Sequence, residues 1–370
     1  MSNAINTNLV KYKRTYTLDY RYDPENNYWL RVRLPISMDF EIRRNNLATA
    51  NTCKITLYNL SKSTRDLFYR DPLDIGKPYK PEEHGFIKIT KEDEAKQKDT
   101  SKLRNWIEIW AGYESTGTEY LVFSGAVLSA YSYRDNVDYK TEISAYATNL
   151  KDPQTYICYT AKAGTTIGQA IKNIALQLTG ITESNIDEEI LSKKFTEDTI
   201  LMGTAEEILK DQLGFKPYID AGCLNICKDD CAIVRDPVVI GSGSGLLTSP
   251  RRTQNGVKIS MLFEPALRVG QLVKLGATME TTYNDVNFVV SGFTHRGSIS
   301  PVRDSQTVSE VELFKGVGGY FRTAKENRIA NPEPKVINFK EGLEDTQTIK
   351  DGIGANSDLS RIMNYTNGLA

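Results

Sequence analysis

Histidine is nearly absent from this chain: His84 and His295 are the only two in 370 residues. Neither stands in a sequence arrangement recognisable as a nucleophile–base pair. Net charge is as scarce, with 46 Lys+Arg against 47 Asp+Glu. A chain without a basic surplus lacks what phosphate neutralisation requires, so neither sequence-specific nucleic-acid binding nor adhesion to an anionic membrane is expected. No run approaches 18 apolar residues, so no spanning helix is expected. The start, Met1-Ser2-Asn3-Ala4-Ile5-Asn6, has neither the basic flank nor the apolar stretch of a signal peptide, which gives the expectation of a soluble protein made in a cytoplasm. The five cysteines are odd in number in a long chain, which argues against a secreted disulfide scaffold and for thiols.

What is present is a globular composition, 40% hydrophobic and 25% charged, long enough for two or three domains. Residues 1–150 repeatedly show the period of two that puts alternate side chains on one face of a sheet. Tyr16, Leu18, Tyr20 and Tyr22 alternate with polar residues, and Asp23-Pro24-Glu25-Asn26-Asn27 supplies a turn, predicting a hairpin. Leu30, Val32, Leu34, Ile36, Met38, Phe40 and Ile42 then alternate as one long strand, with Pro35 on the opposite register marking an edge or bulge. Further strands are expected at Cys53–Leu60, Trp106–Ala111, Tyr120–Tyr133 and Asp138–Ala147. This sheet-rich region predicts a small barrel or sandwich. Within it, residues 71–105 carry three prolines and a mixed-charge run, Lys91 to Asp99, and are expected to form an exposed excursion with one short strand at Phe86–Ile89.

At Thr165 the period changes. Ile167, Ala170, Ile171, Ile174, Ala175 and Leu178 fall at helical spacing with Gly180 as stop. A second helix is expected over Thr204–Leu213, with Thr204 and Glu207 as a capping box and Gly214 as stop, followed by a strand at Phe215–Ile219. Residues 151–240 therefore form a small α+β unit. Gly241-Ser242-Gly243-Ser244-Gly245 is a flexible connection, after which strands at Val257–Phe263, Leu272–Leu275, Phe288–Phe293 and Thr307–Phe314 make a second β unit over 241–320. Residues 321–370 hold only sparse apolar positions, among them Val336, Ile337 and Phe339, and form a tail that is either disordered or laid along another subunit.

The chemistry-bearing candidates are few. Cys223-x3-Cys227-x3-Cys231 has the one metal-like spacing, but on a strand residues four apart lie roughly 13 Å from each other, too far for one metal. Packed or surface thiols are the expectation. Glu108 between Ile107 and Ile109, and Glu264 beside Phe263, are carboxylates in apolar context; alternation puts each outward on a strand or in a loop. Gly241 to Gly245 fits no nucleophile elbow, P-loop or dinucleotide fingerprint. No catalytic, metal or cofactor-binding residue is assigned, and no cofactor is expected. Trp29, Trp106 and Trp110 lie in strand-like runs as core or interface residues, not as carbohydrate platforms.

Asn51-Thr52-Cys53-Lys54-Ile55-Thr56-Leu57-Tyr58-Asn59-Leu60-Ser61, followed by Ser63-Thr64-Arg65, resembles a segment of phage tail baseplate hub proteins. Four further phrases resemble that family in the same order: Val122 to Val127, Gly245 to Arg251, Pro265 to Val273, and Val289 to Gly297. The resemblance covers roughly residues 30–315. It implies two tube-protein-like β-barrel domains flanking the α+β insert, and a homotrimer whose pseudo-sixfold ring joins a hexameric tail tube or tube initiator to a trimeric central spike or tip while letting DNA pass. Baseplate wedge and tape-measure proteins are the other implied partners, and the implied location is the virion tail, assembled in the host bacterial cytoplasm. Gly125 and Gly270 then serve backbone geometry, and His295 with Arg296 closes a strand near a loop. A cell-wall hydrolase and a carbohydrate-binding tail-tip module are the competing readings.

Overall fold

The structure, a computed structural model, describes residues 11–338 apart from 12, 24–27, 47–50, 69–104, 149, 152–155, 179, 182, 187, 228–233, 255, 279–280, 285, 302–305 and 316–334. The expected excursion at 71–105 apart from Asn105, its strand at Phe86–Ile89, His84 and most of the 321–370 tail lie outside the described residues.

The first half is a curled antiparallel sheet. β1 (Arg14–Asp23) and β2 (Tyr28–Arg33) form the expected hairpin, with Leu18 opposite Val32. The long strand expected from Leu30 to Ile42 is two strands. The chain turns after Arg33, where the Ile36 N–H donates to the Arg33 carbonyl at 3.1 Å, and β3 (Met38–Asn45) begins beyond it. Pro35 sits in that turn and not within a ladder, because it has no N–H to contribute. β4 (Thr52–Tyr58), β5 (Trp106–Tyr113), β6 (Thr118–Asp135) and β7 (Asp138–Tyr146) follow, with a seven-residue helix, α1 (Lys62–Phe68), after β4. The strand order is β3-β4-β7-β6-β5-β1-β2. Alternate residues Tyr16, Leu18, Ile42, Leu57, Ile107 and Ile109 are buried in one core, as the period of two requires.

The insert has its own core, built from the inward stripe of α2 (Ile167–Ala175) and from Leu201, Ile208, Leu209, Leu224 and Ile226. Thr166 caps α2 by accepting from the Gln169 N–H at 3.3 Å. Strands β8 (Ile157–Ala161) and β10 (Thr199–Gly203) pair, and helix α3 (Glu188–Ser192) lies between β9 (Glu183–Ile186) and β10. The capping box of the second helix forms as expected: the Glu207 N–H donates to Thr204 Oγ1 at 3.3 Å, and the Thr204 N–H to Glu207 Oε2 at 2.8 Å. The turns that follow, Glu207–Gln212, are wound as a π-helix, with the Leu213 N–H reaching the Ile208 carbonyl. β11 (Lys216–Asp220) and β12 (Cys223–Cys227) then form a hairpin. β19 (Lys335–Asn338), from the stretch expected to be either disordered or laid along another subunit, adds antiparallel to β9 of its own chain.

The second half begins one strand earlier than expected. β13 (Val234–Gly241) runs parallel to β16 (Gln271–Gly276), so it belongs to the second sheet. The glycine run after it is a structured turn rather than a flexible connection: the Gly241 N–H donates to buried Ser244 Oγ at 2.7 Å, and Lys11 reaches the Ser244 carbonyl. β14 (Arg251–Arg252), β15 (Gly256–Leu262), β17 (Asn287–Ile299) and β18 (Val308–Phe314) complete the order β14-β15-β18-β17, with β16 also on β17.

The halves correspond strand for strand, β3-β4-β7-β6-β5-β1 against β14-β15-β18-β17-β16-β13. Register makes the correspondence residue-specific. Thr52 to Tyr58 pair with Tyr146 to Lys140, and Gly256 to Leu262 pair with Phe314 to Val308, which sets Cys53-Lys54-Ile55-Thr56-Leu57 against Val257-Lys258-Ile259-Ser260-Met261. The bulge in β6 between Val127 and Ser129 then matches that in β17 between Val290 and Gly292. The outermost pair differs, since β1 is antiparallel to β5 whereas β13 is parallel to β16. The two halves are joined edge to edge: beyond the bulge, Gly292 to Ile299 of β17 pair with Asn45 to Met38 of β3, giving one sheet of 13 strands.

Candidate functional site at the junction of the halves

The alternation that buries Met38, Phe40 and Ile42 continues to Arg44, which places a guanidinium where a core side chain belongs. Arg44 is 2% exposed, and its partner is Asp220 at the tip of the β11–β12 hairpin, 5% exposed. Nε donates to Asp220 Oδ1 at 2.7 Å and Nη2 stands 2.6 Å from the same oxygen. Asp220 Oδ2 accepts from the Val269 N–H at 3.3 Å, and Arg44 Nη1 donates to the Val122 carbonyl at 3.2 Å. One ion pair thus touches β3, the first-half strand β6, the insert hairpin and the loop before β16. The hairpin can reach in because Ala221 and Gly222, both at positive φ, reverse the chain directly behind Asp220.

Neighbouring contacts tie the same three parts. Asn51, in the phrase that ends at Ser61, accepts from the Asn45 N–H at 2.9 Å and donates to the Ile219 carbonyl at 3.1 Å. Arg268 donates to the Leu121 carbonyl at 3.2 Å; burial, then the like charge of Arg44, pushes its pKa down to about 10. Tyr113 donates to the Phe263 carbonyl at 2.7 Å, and burial pushes its phenol well up, so it remains a donor. Phe263 packs edge-on against Phe40 of the first half and against His295 of the second. Gly270, at φ +82°, donates its N–H to the Val290 carbonyl. Gly125 lies where a Cβ would stand 2.3 Å from the Tyr146 carbonyl oxygen, so only glycine lets β6 approach β7 there.

His295 does not close a strand. β17 runs on to Ile299, and His295 is a fully buried mid-strand residue whose Nδ1 lies 2.8 Å from Ser309 Oγ. Burial first, then Arg44 and Arg268, hold its pKa well below the ordinary histidine value, so it stays neutral. Sealed from solvent, it can neither collect nor deliver a proton for a substrate. Glu108 is 8% exposed, not turned to solvent as alternation suggested: the outward face of β5 is covered there, with Gly180 of the insert against the Trp106 ring. Glu264 is equally buried and ion-paired with Lys11 at 2.7 Å. Of the cysteines, Cys53 is a core residue, Cys158 is exposed and Cys223 is half-buried; the Cys227 side chain and Cys231 lie outside the described residues. Among the described residues, no three His, Cys, Asp or Glu side chains are grouped to hold a metal ion, and no helix is long and apolar enough to cross a membrane. An open depression of about 420 Å³ crosses the β3–β17 joint, lined by Asp39, Glu41, Lys54, Thr56 and Ser298.

What sequence reasoning missed is Arg44, Asp220 and Arg268. The one available signal was the arginine two places after Ile42, on the register that had been apolar since Leu30.

No curated protein matches the chain. Among solved structures, the tail protein from Neisseria meningitidis MC58 is 11% identical, with 84% of this chain and 98% of that chain covered at a TM-score of 0.50; the two share a fold. The 43 kDa tail protein of prophage MuSo2 from Shewanella oneidensis is 10% identical over 81% of this chain and 97% of that chain, TM-score 0.43. A type VI secretion component from E. coli is 11% identical over 78% and 76%, TM-score 0.41. The family model for baseplate hub gp41 matches residues 23–296, most of the chain, and with it this chain belongs to the baseplate hub gp41 family, structural proteins of phage tails and not enzymes.

Proposed function

We propose that the chain is the subunit of a homotrimeric hub whose pseudo-sixfold ring joins a hexameric tail tube to a trimeric central spike. The observation that carries this reading is the strand-for-strand correspondence of the halves, fused through β3 and β17. Three copies then carry six similar sheet halves, so one face can meet sixfold symmetry while the chain itself repeats three times. On this reading a first β unit (1–150), a middle α+β unit (151–240), a second β unit (241–320) that recruits β13, and a tail (321–370) divide the work. The β units meet the tube or tube initiator. The insert and tail face the spike, wedge or tape-measure proteins. Assembly takes place in the host bacterial cytoplasm.

The outward face of the joined sheet supports DNA passage. There Asp39, Glu41 and Glu312 alternate with Arg43, Lys54 and Lys258, and Arg296 pairs with Glu310, so the face is polar without a basic surplus. A conduit of this kind holds DNA weakly, as transit requires. The test is native mass spectrometry of the purified chain, alone and with tube and spike proteins, followed by electron microscopy of the assembly. A threefold mass and a ring with six similar lobes are expected; a chain that stays monomeric with both partners present overturns the proposal.

A further inference from the structure

The insert leaves one sheet face without cover. β8 and β10 form a sheet of two strands, with Met202 opposite Cys158 and Ile200 opposite Thr160. Alternation sends Ile157 and Leu201 into the insert core and turns Cys158, Ile200 and Met202 the other way. Ile200 is 62% exposed and Met202 49%, Cys158 is exposed, and Tyr156, just before β8, is 62% exposed. Among the described residues no further strand pairs with β8 or β10. A two-stranded sheet is marginal by itself, and apolar side chains gathered on its open face mark a docking surface.

We propose that the occupant is the chain's own C-terminal segment, residues 339–370, which seats Leu359, Ile362 and Met363 on this face. The place where the chain leaves the described residues supports this. β19 pairs with β9, so Asn338 delivers the segment to the insert, the unit that carries the open face. From Asn338 to Leu359 an extended chain reaches up to about 70 Å, while a unit of about 90 residues has a radius of gyration of about 12 Å, so every point of the insert is in range. The contact needs one copy only and does not depend on the ring.

The chemistry of the two sides matches. Leu359, Ile362 and Met363 have the three- and four-residue spacing that gathers apolar side chains on one side of a helix, with polar Ser360 and Arg361 between them. The segment is too sparse in apolar residues for a core of its own, but three on one side are enough to cover a small face. Met202 gives that face an unbranched, adaptable side chain. Charge agrees as well. Residues 339–370 hold five acidic side chains against three basic, and at the Ala161–Thr199 end of the face exposed Lys162, Lys193 and Lys194 outnumber Glu197 and Asp198.

The test uses the native Cys158 thiol as reporter. Maleimide labelling at Cys158, read by peptide mass spectrometry on the dilute 370-residue chain, is compared with a chain ending at Asn338 and with the triple variant Leu359→Asp/Ile362→Asp/Met363→Asp. Labelling is expected to run about 10-fold faster in both than in the parent, and a synthetic peptide of residues 354–370 is expected to slow it again in the shortened chain. Neither change touches a core residue among the described residues, so circular dichroism is expected to stay the same. Equal labelling of the parent and both variants overturns the assignment. Slow labelling that appears only at concentrations where copies associate, or only with the spike protein present, puts another chain on the face and also overturns it. Either result leaves the ring reading as it stands.

Discussion

Removing Asp220 leaves Arg44 charged, 2% exposed and without its counter-ion at the centre of the junction. At 2.7 Å and an effective dielectric constant of about 20 the gross attraction is about 6 kcal/mol. Desolvation offsets much of that in the intact pair, but truncating one partner of a buried pair costs about 3–5 kcal/mol because the other charge stays buried. The Val269 N–H also loses its acceptor, adding about 1 kcal/mol. Asp220→Ala is therefore expected to destabilise by about 4–6 kcal/mol in urea denaturation. The double variant Arg44→Met/Asp220→Leu replaces the pair by apolar groups of similar size and is expected within about 1 kcal/mol of the parent, or above it. A loss below about 1 kcal/mol for Asp220→Ala, or a double variant as weak as the single, would refute the reasoning that a desolvated ion pair holds the halves and insert in register.

His295 titrates in the unfolded chain near pH 6.5 and well below that in the fold, so the unfolded state binds the extra proton as pH falls. Its contribution is whole above about pH 6.5 and is lost below it at up to about 1.4 kcal/mol per pH unit. Urea midpoints at pH 7.0 and 5.5 should show a loss of about 1 kcal/mol that His295→Gln lacks; an unchanged slope in the variant would sink the assignment. Tyr113→Phe, which removes the hydroxyl bonded to the Phe263 carbonyl across the halves, should cost about 1–2 kcal/mol by the same assay, and a neutral effect would mean the contact is not made in solution. Gly125→Ala must push the β6 and β7 backbones apart and should cost about 1–3 kcal/mol; a stabilising alanine would contradict the close approach. Thr204→Ala removes half of a capping box and should cost about 1 kcal/mol, with protease cleavage in the insert as the readout.

The sequence by itself determined most of the elements of the two β units. Period two and turn chemistry located β1, β4 to β7 and β15 to β18, and helical spacing with a Thr-x-x-Glu box located two of the insert's helices but not α3, because those signals depend on neighbours in the chain. It also held the duplication, in Cys53-Lys54-Ile55-Thr56-Leu57 and Val257-Lys258-Ile259-Ser260-Met261, but five residues with substitutions carry little weight until register aligns them. Only the tertiary structure decided that the halves fuse through β17, that β13 belongs to the second sheet, and that Lys335–Asn338 returns to β9, since each is a pairing between strands distant in sequence. It alone decided the burial of Glu108 and His295 as well. Alternation fixes which side of a strand a residue takes, but not what lies over that side. Arg44 and Asp220 meet 176 residues apart, and nothing local to either announces the other.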